Sequence, residues 1–230
     1  MHRSLLGMAI TVACLYTSAT ESATLKPAKW SDFQNSTFHR ASADHVLATA
    51  SKRLKLSATT QWKSRQTAAM GAAHRRMVQH HHGIPVWGGE VVLHQGKRGV
   101  VEKVNGFVAR CLNKDLPKTW PEDSDASKAK QQAQATWLLK FGLTESQTRV
   151  RELSAARYVY LDDAGEAHYA WLVSFLVEHD EGIAKPHIMM DATDYRPLRR
   201  WNGLMHADAT GPGGNAKVGQ YRYGEDYGTL

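Results

Sequence analysis

Cysteine is nearly absent from this chain: its 230 residues hold only Cys14 and Cys111. Cys14 lies in an N-terminal apolar stretch, Leu5 to Tyr16, and Cys111 stands alone in the rest, so no internal disulfide is available to the folded part. Cys111 then reads as a small buried apolar residue. Long apolar runs are also missing. Leu5 to Tyr16 is too short to span a bilayer, and no other segment is a transmembrane candidate. With His2 and Arg3 before it and small residues after it, this stretch reads as a secretory signal. Thr17-Ser18-Ala19 and Glu21-Ser22-Ala23 are alternative cleavage sites, and Cys14 can also be read as a lipidation site. Concentrated positive charge is the third absence. The formal net charge is +7, yet Lys and Arg are dispersed, with only short pairs such as Arg75-Arg76 and Arg199-Arg200. That spacing argues against a nucleic-acid partner and leaves an anionic membrane surface or an acidic protein partner.

The familiar catalytic patterns are missing too. A zincin helix needs two histidines four residues apart, with a glutamate directly after the first. The chain has twelve histidines, but none is followed by Glu and no two are four apart. Gly-x-Ser-x-Gly, Walker A and Gly-x-Gly-x-x-Gly are also absent. His80-His81-His82 is the one histidine cluster. In a strand, His80 and His82 would share a face and offer two metal positions. A closed zinc site needs about four ligands, and nothing nearby supplies the others, so no metal site and no catalytic residue is expected. Asp162-Asp163 and Glu178-His179-Asp180-Glu181 sit beside glycines and read as turn residues at hairpin ends.

What is present is a repeated order of elements in a chain with 42% hydrophobic and 9% aromatic residues, enough for a real core. Thr24 to Ala41 shows no period and reads as a lead-in. Ser42 can cap a helix whose stripe is Val46, Leu47, Ala50 and Leu54. Extended segments follow at His74–His82, Ile84–Trp87, Glu90–His94 and Val100–Val108, with Gly88-Gly89 as a break or bulge. Asn113 to Ser124 is polar and proline-bearing, and reads as a linker. A second helix, capped by Asp123, Ser124 or Asp125, carries Ala129, Ala133, Trp137 and Phe141 on one face and ends at Gly142. Strands then run from Arg151 to Leu161, Ala167 to Glu178, Pro186 to Asp191, and on to Trp201. Two successive helix-plus-antiparallel-sheet units predict an α+β protein with two cystatin-like units.

Three segments carry a resemblance. Gln79 to His94, with Gly83-Ile84-Pro85-Val86-Trp87-Gly88-Gly89 at its centre, resembles the signature of the fungalysin/thermolysin propeptide domain, and Val104-Asn105-Gly106 is similar to its next strand. Tyr169-Ala170-Trp171-Leu172-Val173 and Asp191-Ala192-Thr193-Asp194 resemble the PepSY-type domain that follows in such propeptides. His206 to Asn215, and the run on to Gly228, resembles the processing junction and mature start of vibriolysin/pseudolysin-like enzymes of the thermolysin family.

The resemblance implies a signal peptide at 1–23, a fungalysin/thermolysin-type propeptide domain at 24–112, a linker at 113–124 and a PepSY-like domain at 125–206. The start of a mature metallopeptidase would follow at 207–230, after cleavage between His206 and Ala207. The partner it implies is the cognate thermolysin-like catalytic domain, whose zinc ligands would lie beyond Leu230, with no cofactor in this chain. The implied role is that of a secreted or periplasmic folding assistant and inhibitor. The alternative is a free-standing protease inhibitor built of cystatin-like modules. Trp87 is expected as a core or interface anchor, and Trp201 to Ala207 is expected to border the enzyme's cleft.

Overall fold

The computed structural model describes residues 22–33, 42–65, 74–96, 100–180 and 182–204, and the backbone of strands Gly211–Asn215 and Gly219–Tyr223. The signal segment, Cys14 and the His206-Ala207 junction lie outside the described residues. The architecture is α+β and mostly sheet. Its elements run β1 (Thr24–Pro27), α1 (Trp30–Phe33), α2 (Ala43–Arg53), β2 (Thr60–Arg65), β3 (His74–His81), β4 (Ile84–Gln95) and β5 (Val101–Arg110). Then come α3 (Ala126–Phe141), β6 (Arg149–Leu161), β7 (Ala167–His179), β8 (Gly182–Ala184), β9 (Pro186–Asp191) and β10 (Pro197–Asn202), with β11 (Gly211–Asn215) and β12 (Gly219–Tyr223) as a separate hairpin.

Both long helices form where the sequence predicts them. The Ser42 hydroxyl accepts from the His45 N–H at the start of α2, with Asp44 in the first turn and Lys52 and Arg53 in the last, as the helix dipole favours. The predicted stripe is the buried one: Val46, Leu47, Ala50 and Leu54 pack against Met77, Val91, Leu93, Val104 and Val108. Asp125 caps α3 through both carboxylate oxygens, accepting from Ser127 N–H and Lys128 N–H, and Gly142 ends it in the left-handed conformation. Ala129, Ala133 and Trp137 are buried against Val159, Tyr169, Trp171, Val173 and Phe175, whereas Phe141 remains half exposed.

Ten strands make one sheet in the order β1-β5-β4-β6-β7-β9-β10, with β2 on β3, β3 on β4 and β8 on β7. β4 is shared between the halves. It carries β3 along most of its length, β5 from Val91 to Gln95, and β6 through a single parallel pair, Val86 with Val159. Inward residues of β4 divide between two cores, with Ile84 and Val86 under α3 and Val91 and Leu93 under α2. Both helices therefore cover one face of the sheet. The other face bears Pro85, Trp87, Glu90 and Val92.

Several expectations are corrected. The lead-in contains β1, which pairs with β5 from Phe107 to Arg110, and α1, whose Phe33 is buried in the α2 core. Short elements without a full period leave no pattern to read. β2 was likewise not anticipated. Gly88-Gly89 does not end a strand, because β4 continues through it as an irregularity. The stretch Asn113 to Ser124 is packed: Leu116 is buried in the α3 core and Trp120 lies against Tyr169 and Trp171. Cys111 is only half-buried and sits at a φ of 60°, where it starts a short 3-10 turn.

Candidate interaction surface and the exit of the chain

The glycine-rich signature is explained by how β4 changes partners. Between Val78 and His80 the register with β3 shifts, and β4 carries extra residues there. Val86 and Gly89 are brought so close that a Cβ on Gly89 would lie 2.9 Å from the Val86 Cβ. Gly88 takes a φ of 75°, which favours glycine. At this irregularity the fully buried Gln79 side chain acts as a stand-in peptide group. Its Nε2 donates to the Ala109 carbonyl at 2.8 Å, and its Oε1 accepts from the Ala109 N–H at 2.8 Å. It thereby satisfies two buried backbone groups of β5. On the next turn of the same hub, Gly106 has a φ of 121°, and a Cβ there would collide with the Glu90 carbonyl oxygen. Gly83, at a φ of 80°, makes the β3–β4 turn with His82, itself at 48°, and Pro85 restarts the strand.

This geometry disperses the histidine cluster. His82 belongs to the turn, so it does not share a strand face with His80 as expected. His80 lines the open face, and its Nδ1 donates to the Val78 carbonyl at 3.1 Å. His81 is fully buried; its Nδ1 lies 3.4 Å from Thr59 Oγ1 and its Nε2 has no hydrogen-bond partner. Burial, reinforced by His82, holds the His81 pKa down at about 4 from its ordinary 6.5.

The face opposite α2 and α3, which bears no helix among the described residues, forms an open groove of about 970 Å³. Lys63, Arg65, Arg76 and His80 line it, together with Asn105, Phe107, Pro85, Trp87 and Tyr158. Glu90 is the acidic counterweight, 2.6 Å from Arg76 and 3.9 Å from Arg65. The groove is thus cationic and aromatic, with Phe107 46% exposed. Trp87 is half-buried and bridges the halves: its ring meets Tyr158 of β6 edge-on at 5.3 Å and Trp201 of β10 at 5.5 Å. It is an anchor between the two halves of the sheet, not a core residue of one.

Trp201 leads to the chain's exit from the sheet. It stacks on His187 of β9, centroids 5.3 Å apart and planes 10° apart. Asn202 Oδ1 accepts from the Lys185 and Leu204 N–H groups, at 2.9 and 3.1 Å. The Gly203 N–H donates to the Lys185 carbonyl at 2.7 Å. A Cβ on Gly203 would collide with the His187 ring.

The sequence reading missed His168. It is buried between two hairpin turns, with Nδ1 3.0 Å from Asp191 Oδ2 and Nε2 3.2 Å from Asp162 Oδ2. Asp162 also accepts from the Ala164 and Glu166 N–H groups, and Asp191 from the Thr193 N–H. Asp162 is thus the turn residue expected of it, and His168 buckles its turn to the Asp191 turn. Tyr195 ties that second turn to α3, its hydroxyl accepting from the Asp125 N–H and donating to the Asp123 carbonyl. Asp162, Glu166 and His168 have ligand-type atoms within 4.8 Å of one another. Two of the three are already spent on these turn hydrogen bonds. Only the alternation of β7 hinted at His168, which falls opposite Tyr169 and Trp171 and so away from α3.

Residues 61–107, which hold this hub except for Ala109, match the Fungalysin/Thermolysin Propeptide Motif. The chain carries a thermolysin-type propeptide motif. It is also homologous to metalloproteases of that family. It is 35% identical to the neutral protease of Vibrio proteolyticus over 68% of its own length and 26% of the relative's. It is 31% identical to a zinc metalloproteinase of Legionella pneumophila over 72% of its length and 32% of the relative's, and 33% to the virulence metalloprotease of Vibrio anguillarum over 70% and 26%. The chain thus spans about a quarter to a third of the length of these relatives. Likeness to the C-terminal domain of Bacillus megaterium YpeB, at 15% identity over 74% of this chain and 68% of that one, has a TM-score of 0.29, too slight to define the fold. No helix among the described residues is long and apolar enough to cross a membrane.

Proposed function

We propose that this chain acts as the intramolecular chaperone and inhibitor of a secreted thermolysin-like zinc metalloprotease, until it is cut near His206-Ala207. The observation that carries the reading is the propeptide motif at 61–107, set in a chain related to zinc metalloproteinases over most of its length. In this reading residues 1–23 are the signal peptide and 24–112 and 125–206 are two cystatin-like units, the second PepSY-like. Residues 113–124 connect them and 207–230 begin the enzyme. The chain itself performs no catalysis and holds no cofactor. Zinc belongs to the enzyme, which is the partner.

The physical case is that a large enzyme domain is easily trapped on its way to the native state. A partner that binds only the native-like surface shifts the balance toward it. A cationic, aromatic groove on the face opposite α2 and α3 supports such docking, because aromatic anchors and charge complementarity serve protein recognition. Binding is expected to weaken with salt. The test is refolding: acid- or denaturant-unfolded neutral protease of Vibrio proteolyticus is diluted with and without the chain from residue 24 onward. A raised yield of active enzyme after the chain is digested away supports the reading. Inhibition without any gain in refolding points instead to a free-standing inhibitor.

A further inference from the structure

The arginines of the groove already hold a carboxylate, since Arg65 and Arg76 share Glu90. A second cationic basin, of about 490 Å³, holds none. It opens where the β3–β4 turn, the connector 113–124 and β6 meet. Arg157, Lys118 and His82 line it with Gln61, Thr119 and Trp120, and no Asp or Glu does. None of the ion pairs among the described residues involves Arg157 or Lys118. The arginine is nevertheless held in place. It stands directly opposite Trp171 across β6 and β7, so it shares the face that carries α3. Its guanidinium lies over the Trp120 ring at 4.7 Å and over the Trp171 ring at 5.3 Å. Trp171 is buried and fixed by its Nε1–H, which donates to Ser124 Oγ at 2.8 Å, and the two indoles meet edge-on at 5.0 Å. The Trp120 Nε1–H is buried without an acceptor among the described residues.

Aromatic rings hold an arginine by the face of its guanidinium and leave the N–H groups at its rim for a planar acceptor with two oxygens. That fork matches a carboxylate. Because the side chain is already fixed, little rotamer freedom remains to be lost on pairing. A contact that served only to cover the two indoles would gain nothing from a lysine and a histidine beside it. We infer that Arg157, with Lys118 and His82 next to it, forms a carboxylate-binding site, and that its occupant is an Asp or Glu side chain on the surface of the partner enzyme. The basin is open, which suits an acid carried on a protein surface. The identity of the occupant rests on the proposed function; the site itself does not.

The test has two arms. In the first, the full chain is titrated with sodium citrate, against sodium chloride at matched ionic strength, and followed by the nuclear magnetic resonances of the Trp indole and Arg side-chain N–H groups. The Trp120 and Arg157 signals are expected to shift and saturate with citrate and not with chloride. Arg157→Gln should abolish the saturating shift of Trp120 while the melting temperature stays within a few degrees. No saturating shift in the parent chain overturns the site. In the second arm, inhibition of Vibrio proteolyticus neutral protease is measured. Arg157→Gln should raise the inhibition constant roughly tenfold or more, and Arg157→Lys should recover little, because lysine lacks the fork. Lys140→Gln, which removes an equal charge from the last turn of α3, should change it by under about twofold. Arg157 variants that inhibit like the parent, or a loss in Lys140→Gln as large as in Arg157→Gln, overturn the occupant and leave the propeptide reading standing. A parent chain that binds citrate at Arg157 and never inhibits the enzyme overturns the propeptide reading and supports the site.

Discussion

The two halves of the sheet reach similar layouts by different means. The half built on α2 depends on exceptions: Gly88, Gly89 and Gly106 in places where a side chain collides or is strained, a buried glutamine standing in for a peptide group, and a buried neutral histidine. The half built on α3 depends on regular alternation, with Tyr169, Trp171, Val173, Phe175 and Val177 of β7 facing the helix. Exceptions restrict residue choice far more than apolar alternation does. The motif match therefore falls at 61–107, on the first half, and a strand such as β7 tolerates many apolar sequences.

Gly106→Ala should break this contrast most severely. The new Cβ meets the Glu90 backbone and the φ of 121° is strained for alanine, so the first half should lose its cooperative fold. Hydrogen exchange should show protection vanishing in β3 to β5 while β7 keeps much of its own. Trp137→Ala is the matching lesion in the second half, and should cost about 3–5 kcal/mol by leaving a large cavity. Denaturant titration measures it, and the loss should appear first in β6, β7 and β9. Gln79→Ala should cost about 3 kcal/mol, because two buried backbone groups lose their partner. A loss under 1 kcal/mol would show that water or another group replaces Gln79 and that the hub is not as specific as described.

Trp87→Ala tests the bridge between the halves. Trp87 is only half-buried, so its loss should cost about 2 kcal/mol, and the unfolding of the two halves should become less coincident. The last effect is absent at neutral pH and emerges only in acid. The folded pKa of His81 is depressed to about 4 from 6.5, so the unfolded chain binds the extra proton first as pH falls. Full stability is therefore present above pH 6.5, declines below it, and stops declining from this source near pH 4. His81→Gln should flatten the melting-temperature profile in that window, mainly in the first half.

The capped helices, their buried stripes and the long strands were legible because each carries a period and a boundary residue: Ser42, Asp125 and Gly142. β1, α1 and β2 were not, since a segment as short as Thr24–Pro27 is defined by its partner in β5 and not by a pattern of its own. The signature from Gln79 to Gly89 was recognisable as a string. Its physical content, a side chain completing a ladder at a bulge, needed the spatial neighbour Ala109, thirty positions away. His168 and the packing of Trp201 and Gly203 around His187 were invisible for the same reason. Each joins segments brought together only by the sheet, and single histidines in a chain with twelve give no local signal.

The central claim is that this chain binds a thermolysin-type enzyme and restrains it. Its most direct test is titration of active Vibrio proteolyticus neutral protease with the chain from residue 24 onward, following hydrolysis of a quenched peptide over time. The account predicts dose-dependent inhibition that weakens with added salt and is relieved slowly, as the enzyme cuts the chain near His206-Ala207. Undiminished peptide hydrolysis, with the chain degraded from its first half, would contradict it.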